Sequence, residues 1–73
     1  MIRCKLSVLL GERRMKMSEL ARASGLSYPA VNAIYHEQTK VIAYDTLNKL
    51  CKALDCNVQD ILEYIPDEAQ PDE

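Results

Sequence analysis

The chain contains no tryptophan, no phenylalanine and only two glycines among its 73 residues. A core therefore has to be packed from leucine, isoleucine, valine and methionine, which favours helices packed against one another. A domain of this length buries only about 60% of the surface of its unfolded chain. The composition predicts one domain with one modest aliphatic core, and a hydrophobic share of 48% argues against an intrinsically disordered chain.

Long apolar runs are also missing. The first such run, residues 6–10, ends after five residues at Gly11. A secretory signal needs an apolar stretch of roughly 7–15 residues, and a membrane helix needs about 20. We therefore expect a cytoplasmic protein that has no membrane association.

Cysteine and histidine are too few for a metal site. Cys4, Cys51 and Cys56 form no C-x-x-C pair, and His36 is the single histidine. A structural zinc ion usually takes four such ligands. The sequence thus predicts no metal and no cofactor, and the cysteines are interpreted as small, partly buried apolar residues that stay reduced.

Residues with catalytic chemistry do not occur in a catalytic pattern. No base has an evident orienting partner, no pair of carboxylates flanks a cleft, and no glycine-rich loop is suited to hold a phosphate. A small helical domain also has little volume for a substrate pocket. We predict that the chain is not an enzyme and has no small-molecule substrate.

Charge is distributed unevenly along the chain, whose formal net charge is -2. Residues 1–40 contain seven basic and three acidic residues, whereas residues 41–73 contain two basic and eight acidic residues. A one-sided footprint of this kind is typical of proteins that bind phosphate groups through one face. The basic first half is the predicted side for nucleic acid.

Apolar residues recur at helical spacing in five segments of the chain. The predicted helices cover residues 3–14, 18–24, 28–36, 45–55 and 58–65. Ile2, Leu6 and Leu9 define the apolar stripe of the first helix, and Pro66 is expected to end the fifth. We assign residues 1–66 to the domain and residues 67–73 to an acidic, flexible tail.

The stretch SELARASGLSYPAVNAIY has the pattern of a helix-turn-helix, which we place at residues 17–36. Ala21 and Gly25 are expected to let the two helices cross closely, and Gly25 also suits the left-handed backbone of the turn. Val31 and Ile34 are expected to pack against the core. The second helix of the motif then presents an outward face that consists of Ser27, Tyr28, Asn32, Ala33 and His36.

The chain resembles the Cro and phage-repressor type of helix-turn-helix proteins, the XRE family, over roughly residues 3–66. The matching stretches are SELARASGLS, the apolar pair Val31 and Ile34, TK at 39–40, DTLNKLCKALDC at 45–56 and DILEYIPDE at 60–68. The resemblance implies an all-α fold, a compact five-helix lambda-repressor-like DNA-binding domain. It also implies that the second and third helices bind double-stranded DNA, usually as a homodimer on a palindromic site.

The resemblance further assigns contacts to DNA. The positions that read bases in the family fall on Ser27, Tyr28, Pro29, Asn32 and Ala33. Asn32 can donate to and accept from an adenine edge, and Tyr28 offers a hydroxyl group and an apolar ring for a thymine methyl. The phosphate candidates are the backbone N–H groups near Met17 and Ser18, together with Lys40, Arg14 and His36.

Three positions depart from the family's pattern. Met17 replaces a phosphate-contacting glutamine, Glu37 replaces a loop glycine, and Val41 replaces a frequently basic residue. Each change removes a phosphate contact or adds a negative charge near DNA, so we expect modest affinity for each half of a binding site. Leu10 and Tyr35 replace an Arg–Glu ion pair of some relatives, and we expect an apolar contact between them.

These features predict a sequence-specific transcriptional regulator, in the role of a repressor, that inserts residues 28–36 into the major groove. Two other functions stay open. One is a protein-interaction module that acts through a partner regulator, which the reduced basic loop and the net acidity favour. The other is the antitoxin of a toxin–antitoxin pair.

Overall fold

The structure, a computed structural model, describes residues 1–66. Its helices are α1 (Leu6–Arg13), α2 (Met17–Ser24), α3 (Tyr28–Tyr35), α4 (Tyr44–Leu54) and α5 (Val58–Ile61). Two strands, β1 (Ile2–Cys4) and β2 (Leu62–Tyr64), form an antiparallel sheet. The five predicted helices are thus confirmed, and none of those described is long and apolar enough to cross a bilayer. The predicted acidic tail, residues 67–73, lies outside the described residues.

The sheet joins the two ends of the described chain. Its register pairs Ile2 with Tyr64, Arg3 with Glu63 and Cys4 with Leu62. The N–H of Ile65 donates to the carbonyl oxygen of Met1 at 2.8 Å, and the N–H of Lys5 donates to that of Ile61 at 2.6 Å. These bonds hold both ends of the domain against each other beside α1 and α5.

The sheet shows that the predicted all-α fold is wrong at both ends of the domain. The first helix begins at Leu6 instead of residue 3, and the fifth ends at Ile61 instead of residue 65. Ile2, expected on an apolar stripe, is 63% exposed. The paired segments lie at opposite ends of the chain, and apolar periodicity within a window of about 11–18 residues carries no information on such contacts.

Ten buried apolar side chains form the core, and every helix contributes at least one of them. They are Leu6, Leu9, Leu10, Leu20, Ala21, Val31, Ile34, Leu50, Leu54 and Ile61. Full burial of one such leucine or isoleucine side chain stabilises the fold by about 1.5–3 kcal/mol. Val58, expected in the stripe of the fifth helix, is 47% exposed, so α5 joins the core mainly through Ile61. Leu10 lies in this core and Tyr35 packs against it. These positions are consistent with the predicted apolar contact between the two residues.

Left-handed residues follow the first four helices. Their φ angles are +52° at Arg14, +79° at Gly25, +56° at Glu37 and +50° at Asp55. This conformation lets the backbone N–H groups after a helix bond to its last free carbonyl groups. Glycine adopts it without steric cost, whereas the β-carbon of other residues opposes it. Three of these four helix ends therefore have a residue with a β-carbon in a conformation that favours glycine.

Candidate nucleic-acid interface

The turn between α2 and α3 is built from local hydrogen bonds. The N–H of Gly25 donates to the carbonyl oxygen of Ala21 at 3.0 Å, and the N–H of Leu26 donates to Ser24 Oγ at 3.3 Å. A β-carbon added at Gly25 would have no neighbouring atom within 4 Å. Glycine is thus needed there for its φ of +79° and not for close approach, which corrects part of the expected role. Ala21, only 9% exposed, is the small residue inside the motif.

The beginning of α3 faces solvent. Ser27 Oγ accepts a hydrogen bond from the N–H of Ala30 at 3.2 Å and so caps the helix. Pro29 lies in the first turn, where a missing N–H removes no helical bond. Ser27, Tyr28 and Pro29 are exposed, with Tyr28 at 49%. The structure therefore brings three of the five predicted base-reading residues together on one accessible surface.

The other two predicted base-reading residues are less accessible. Asn32 and Ala33 lie one turn further along α3 and are half-buried. Ala33 lines a shallow groove against the segment after α3, which includes Val41. On the inward side of the helix, Val31 and Ile34 are 0% and 4% exposed. The helix has the inward packing that the sequence predicts, while its accessible surface narrows after the first turn.

The predicted phosphate-contacting residues lie before and after α3 in the sequence. The side chain of Met17 packs against the core, so its backbone N–H is the group that remains for DNA. Ser18 is exposed in the same first turn of α2. At this helix end the carboxylate of Glu19 accepts the N–H of Lys16 at 2.8 Å, which places a negative charge beside the predicted phosphate site. The remaining members of the set, Arg14, His36 and Lys40, are also exposed.

Glu37 has a role that the sequence analysis missed. Arg3 Nε and Nη2 donate to its two carboxylate oxygens, each at 3.1 Å. The N–H of Cys4 donates to Oε1 of the same carboxylate at 3.1 Å. The sequence suggests that Glu37 presents an unpaired negative charge to DNA. In the structure its carboxylate is paired instead, and it connects the end of α3 to β1.

The ionisation of Glu37 and Arg3 reflects this pairing. The hydrogen bond from Arg3 lowers the pKa of Glu37 below its usual value, and the N–H of Cys4 lowers it further. The same hydrogen bond, followed by the charge of Glu37, raises the pKa of Arg3. Both groups are ionised at neutral pH. The two residues are 34 positions apart, and no local pattern in the sequence links them.

Arg13 is also engaged within the molecule. Its Nη1 donates to the carbonyl oxygen of Leu54 at the end of α4. A cation is favoured at this end of a helix because the last carbonyl groups carry partial negative charge. Arg13 and Arg3 thus both bond within the domain. The basic residues of the first half that are left as candidates for DNA phosphates are Lys5, Arg14, Lys16, Arg22 and Lys40.

Comparison with known proteins agrees with this geometry. Residues 5–67 match the family model of the Cro/C1-type HTH DNA-binding domain. The chain is also similar to the uncharacterized HTH-type transcriptional regulator YozG of Bacillus subtilis (strain 168), at 36% identity over 63 residues, which are 86% of this chain and 75% of that protein. These matches confirm the resemblance found in the sequence: the chain belongs to the family of Cro/C1-type HTH DNA-binding domains.

Proposed function

We propose that this chain is a sequence-specific transcriptional regulator that places α3 in the major groove of DNA. The observation that carries the proposal is the two-sided character of α3, with Val31 and Ile34 buried and Tyr28 and Pro29 exposed. The major groove of B-DNA is about 12 Å wide and admits one helix. A relative that is named as a transcriptional regulator supports the regulatory role.

The base contacts differ in what each side chain can recognise. Asn32 is the residue for an adenine edge, because its amide both donates and accepts, and Tyr28 is suited to a thymine methyl or a polar base edge. Ser27 uses its oxygen as a helix cap but keeps a hydroxyl hydrogen to donate. Pro29 and Ala33 add apolar contact. Discrimination between bases therefore depends mainly on Asn32 and Tyr28.

The phosphate contacts come from both sides of α3. The N–H groups of Met17 and Ser18 at the beginning of α2 would hold one phosphate, as helix N-termini do. Lys40 would hold another from the loop after α3. Arg14 and His36 are the remaining candidates in this set. These contacts orient the domain and contribute affinity without reading the sequence.

We further propose a homodimer on a palindromic site that acts as a repressor, with the five helices in a lambda-repressor-like arrangement. Two copies of α3 would then lie about 34 Å apart, one turn of duplex. The support for these finer statements is the resemblance to the Cro and phage-repressor type of protein.

The test begins with selection of bound duplexes from a random pool at low salt. An enriched motif supports sequence-specific binding, and two inverted copies at a fixed spacing support the dimer. Loss of all binding even at about 50 mM salt, where phosphate contacts are strongest, would contradict the proposal.

Two variants then separate base contacts from phosphate contacts on the selected site. Asn32→Ala is expected to weaken discrimination at one base pair by about 1–3 kcal/mol, while Lys40→Ala weakens binding to all duplexes and lowers the salt slope by about one. Lys52→Ala, at an exposed lysine of α4, is the matched control and should change neither quantity. Equal losses for Asn32→Ala on the selected site and on random DNA would argue against its base-reading role.

A protein-interaction module is the second candidate. The observation that favours it is the use of Arg3 and Arg13 within the fold, which reduces the cations left for phosphate. This function predicts no duplex binding in the low-salt titration. The two candidates are therefore separated by the same first experiment.

A further inference from the structure

The end of α4 brings two cysteines together. Asp55 has a left-handed backbone, with φ of +50°, and the N–H of Cys56 donates to the carbonyl oxygen of Cys51 at 3.1 Å. This bond between the first and sixth residues defines a Schellman helix end, in which the side chains of those two positions come into contact. Here both side chains are thiols, and Cys51 lies close enough to raise the pKa of the Cys56 thiol.

The two thiols are accessible from solvent. Cys51 and Cys56 are half-buried and line an open groove of about 460 Å³, whose walls include Tyr44 and Val58. Tyr44 is 90% exposed and Val58 is 47% exposed, so neither closes the groove. Cys4 lies in β1 and lines a different groove. A small molecule can thus approach the pair separately from the third cysteine.

We propose that Cys51 and Cys56 form a dithiol site that closes to an intramolecular disulfide on reaction with a low-molecular-weight disulfide. The Cys51 thiolate attacks the oxidant, which gives a mixed disulfide and releases one thiolate. The Cys56 thiolate then attacks the Cys51 sulfur, forms the protein disulfide and releases the second thiolate. The protein loses two electrons and two thiol protons, and the oxidant becomes two thiols.

The order of attack follows from the surroundings of Cys56. Burial, followed by the neighbouring Cys51 and by the charge of Asp60, raises the pKa of the Cys56 thiol, and the smaller effect of Arg13 lowers it. A thiol with a smaller thiolate fraction is a slower first nucleophile. Cys56 is therefore assigned to the closing step, where its position beside Cys51 replaces a bimolecular encounter.

Closure of this pair would fix the corner between α4 and α5. The carbonyl oxygen of Ile61 in α5 accepts the N–H of Lys5, so this corner also positions α5 against the beginning of α1. None of the residues assigned to DNA contact is among those that line the groove. The oxidised chain should thus be more resistant to unfolding while the outward face of α3 stays unchanged.

The experiment exposes the full chain at micromolar concentration to oxidised glutathione and then alkylates the remaining thiols. The expected product is about 2 Da lighter than the reduced chain before alkylation, because two hydrogen atoms leave, and alkylation then labels Cys4 alone. Closure should be about a thousandfold faster than cross-linking between chains, since linked groups have an effective concentration on the order of millimolar. Cys4→Ser should close equally well.

Variants of each partner make the assignment specific. Cys51→Ser and Cys56→Ser are each expected to lose closure and to retain glutathione on the remaining thiol. A wild-type product that keeps glutathione on both cysteines, or that forms mainly cross-linked dimers, would overturn the proposal. A lower Tm for the closed chain than for the reduced chain would also overturn it, because a corner that already aligns the thiols should be stabilised by the bond.

Discussion

Arg3 and Glu37 are joined by two parallel hydrogen bonds of 3.1 Å, and through them the sheet is attached to the end of α3. Glu37 also accepts the N–H of Cys4, so one carboxylate contacts both the side chain and the backbone of β1. Its backbone has the left-handed conformation, with a φ of +56°, which glycine adopts without steric cost. The ion pair therefore accompanies a backbone angle that glutamate does not favour.

The first prediction concerns the pH dependence of this pair. Because the folded pKa of Glu37 lies below its unfolded value, the stabilisation is present above the unfolded pKa and is lost as the pH falls through the folded one. Glu37→Gln should thus melt below wild type at pH 7, and the difference should shrink below about pH 4.5, the ordinary pKa of glutamate. Circular dichroism melting curves at several pH values measure this.

Glu63→Gln is the control for that measurement. Glu63 is the strand partner of Arg3 in the sheet, and the charge of its carboxylate has a smaller effect on Arg3 than Glu37 has. Its substitution should change Tm less than Glu37→Gln does at pH 7. A constant difference between Glu37→Gln and wild type from pH 7 to pH 3 would contradict the prediction.

The second prediction compares two left-handed helix ends. Arg14→Gly should increase the free energy of unfolding by about 0.5–1 kcal/mol, because glycine removes the steric cost of the positive φ. The larger conformational entropy that glycine loses on folding offsets part of this gain. Glu37→Gly removes the same steric cost but also the bonds to Arg3 and Cys4, so it should not stabilise the fold. Urea unfolding measures both. A larger gain for Glu37→Gly than for Arg14→Gly would show that the ion pair contributes nothing.

The third prediction concerns the beginning of α4. Ala43 occupies the N-cap position with an extended backbone, and its side chain has no group that can accept a hydrogen bond. Ala43→Ser supplies an oxygen for a free N–H of the first turn and should stabilise the fold by about 1 kcal/mol. For a domain of this size, that corresponds to a rise in Tm of roughly 4–8 °C. Ala43→Val adds volume without an acceptor and should give no such rise.

The fourth prediction compares two residues of α4 that differ in burial. Leu50 is 0% exposed and Tyr44 is 90% exposed. Leu50→Ala should reduce the free energy of unfolding by about 2–5 kcal/mol, through lost burial and the cavity that remains. Tyr44→Ala should change it by less than about 0.5 kcal/mol. Urea titrations give both values, and a similar cost for the two substitutions would contradict the position of α4 in the core.

Predictions from the sequence were most accurate where the determining contacts are local. The turn between α2 and α3 depends on Gly25 and on side chains within a few positions of it, such as Ser24 and Ser27. The inward positions Val31 and Ile34 follow from helical spacing alone. These features were therefore predictable before any tertiary contact was known.

Two side-chain contacts that were missed join residues far apart in the chain. The bond from Arg13 to the carbonyl of Leu54 spans 41 positions, and the Arg3–Glu37 pair spans 34. The sequence gives the charges of these residues, but a charge alone does not show which residue it will contact in the folded chain. The expectation that Glu37 adds a negative charge near DNA failed for this reason.

The amino-acid order by itself determined five helices, an aliphatic core and the two-sided α3, because helical periodicity and turn preferences act over a few residues. Tertiary structure decided which ends of the domain extend into strands and which basic side chains bond within the fold. Those outcomes depend on how separate segments come to lie side by side once the core has formed, and that arrangement brings Ile2 opposite Tyr64 and Arg3 beside Glu37.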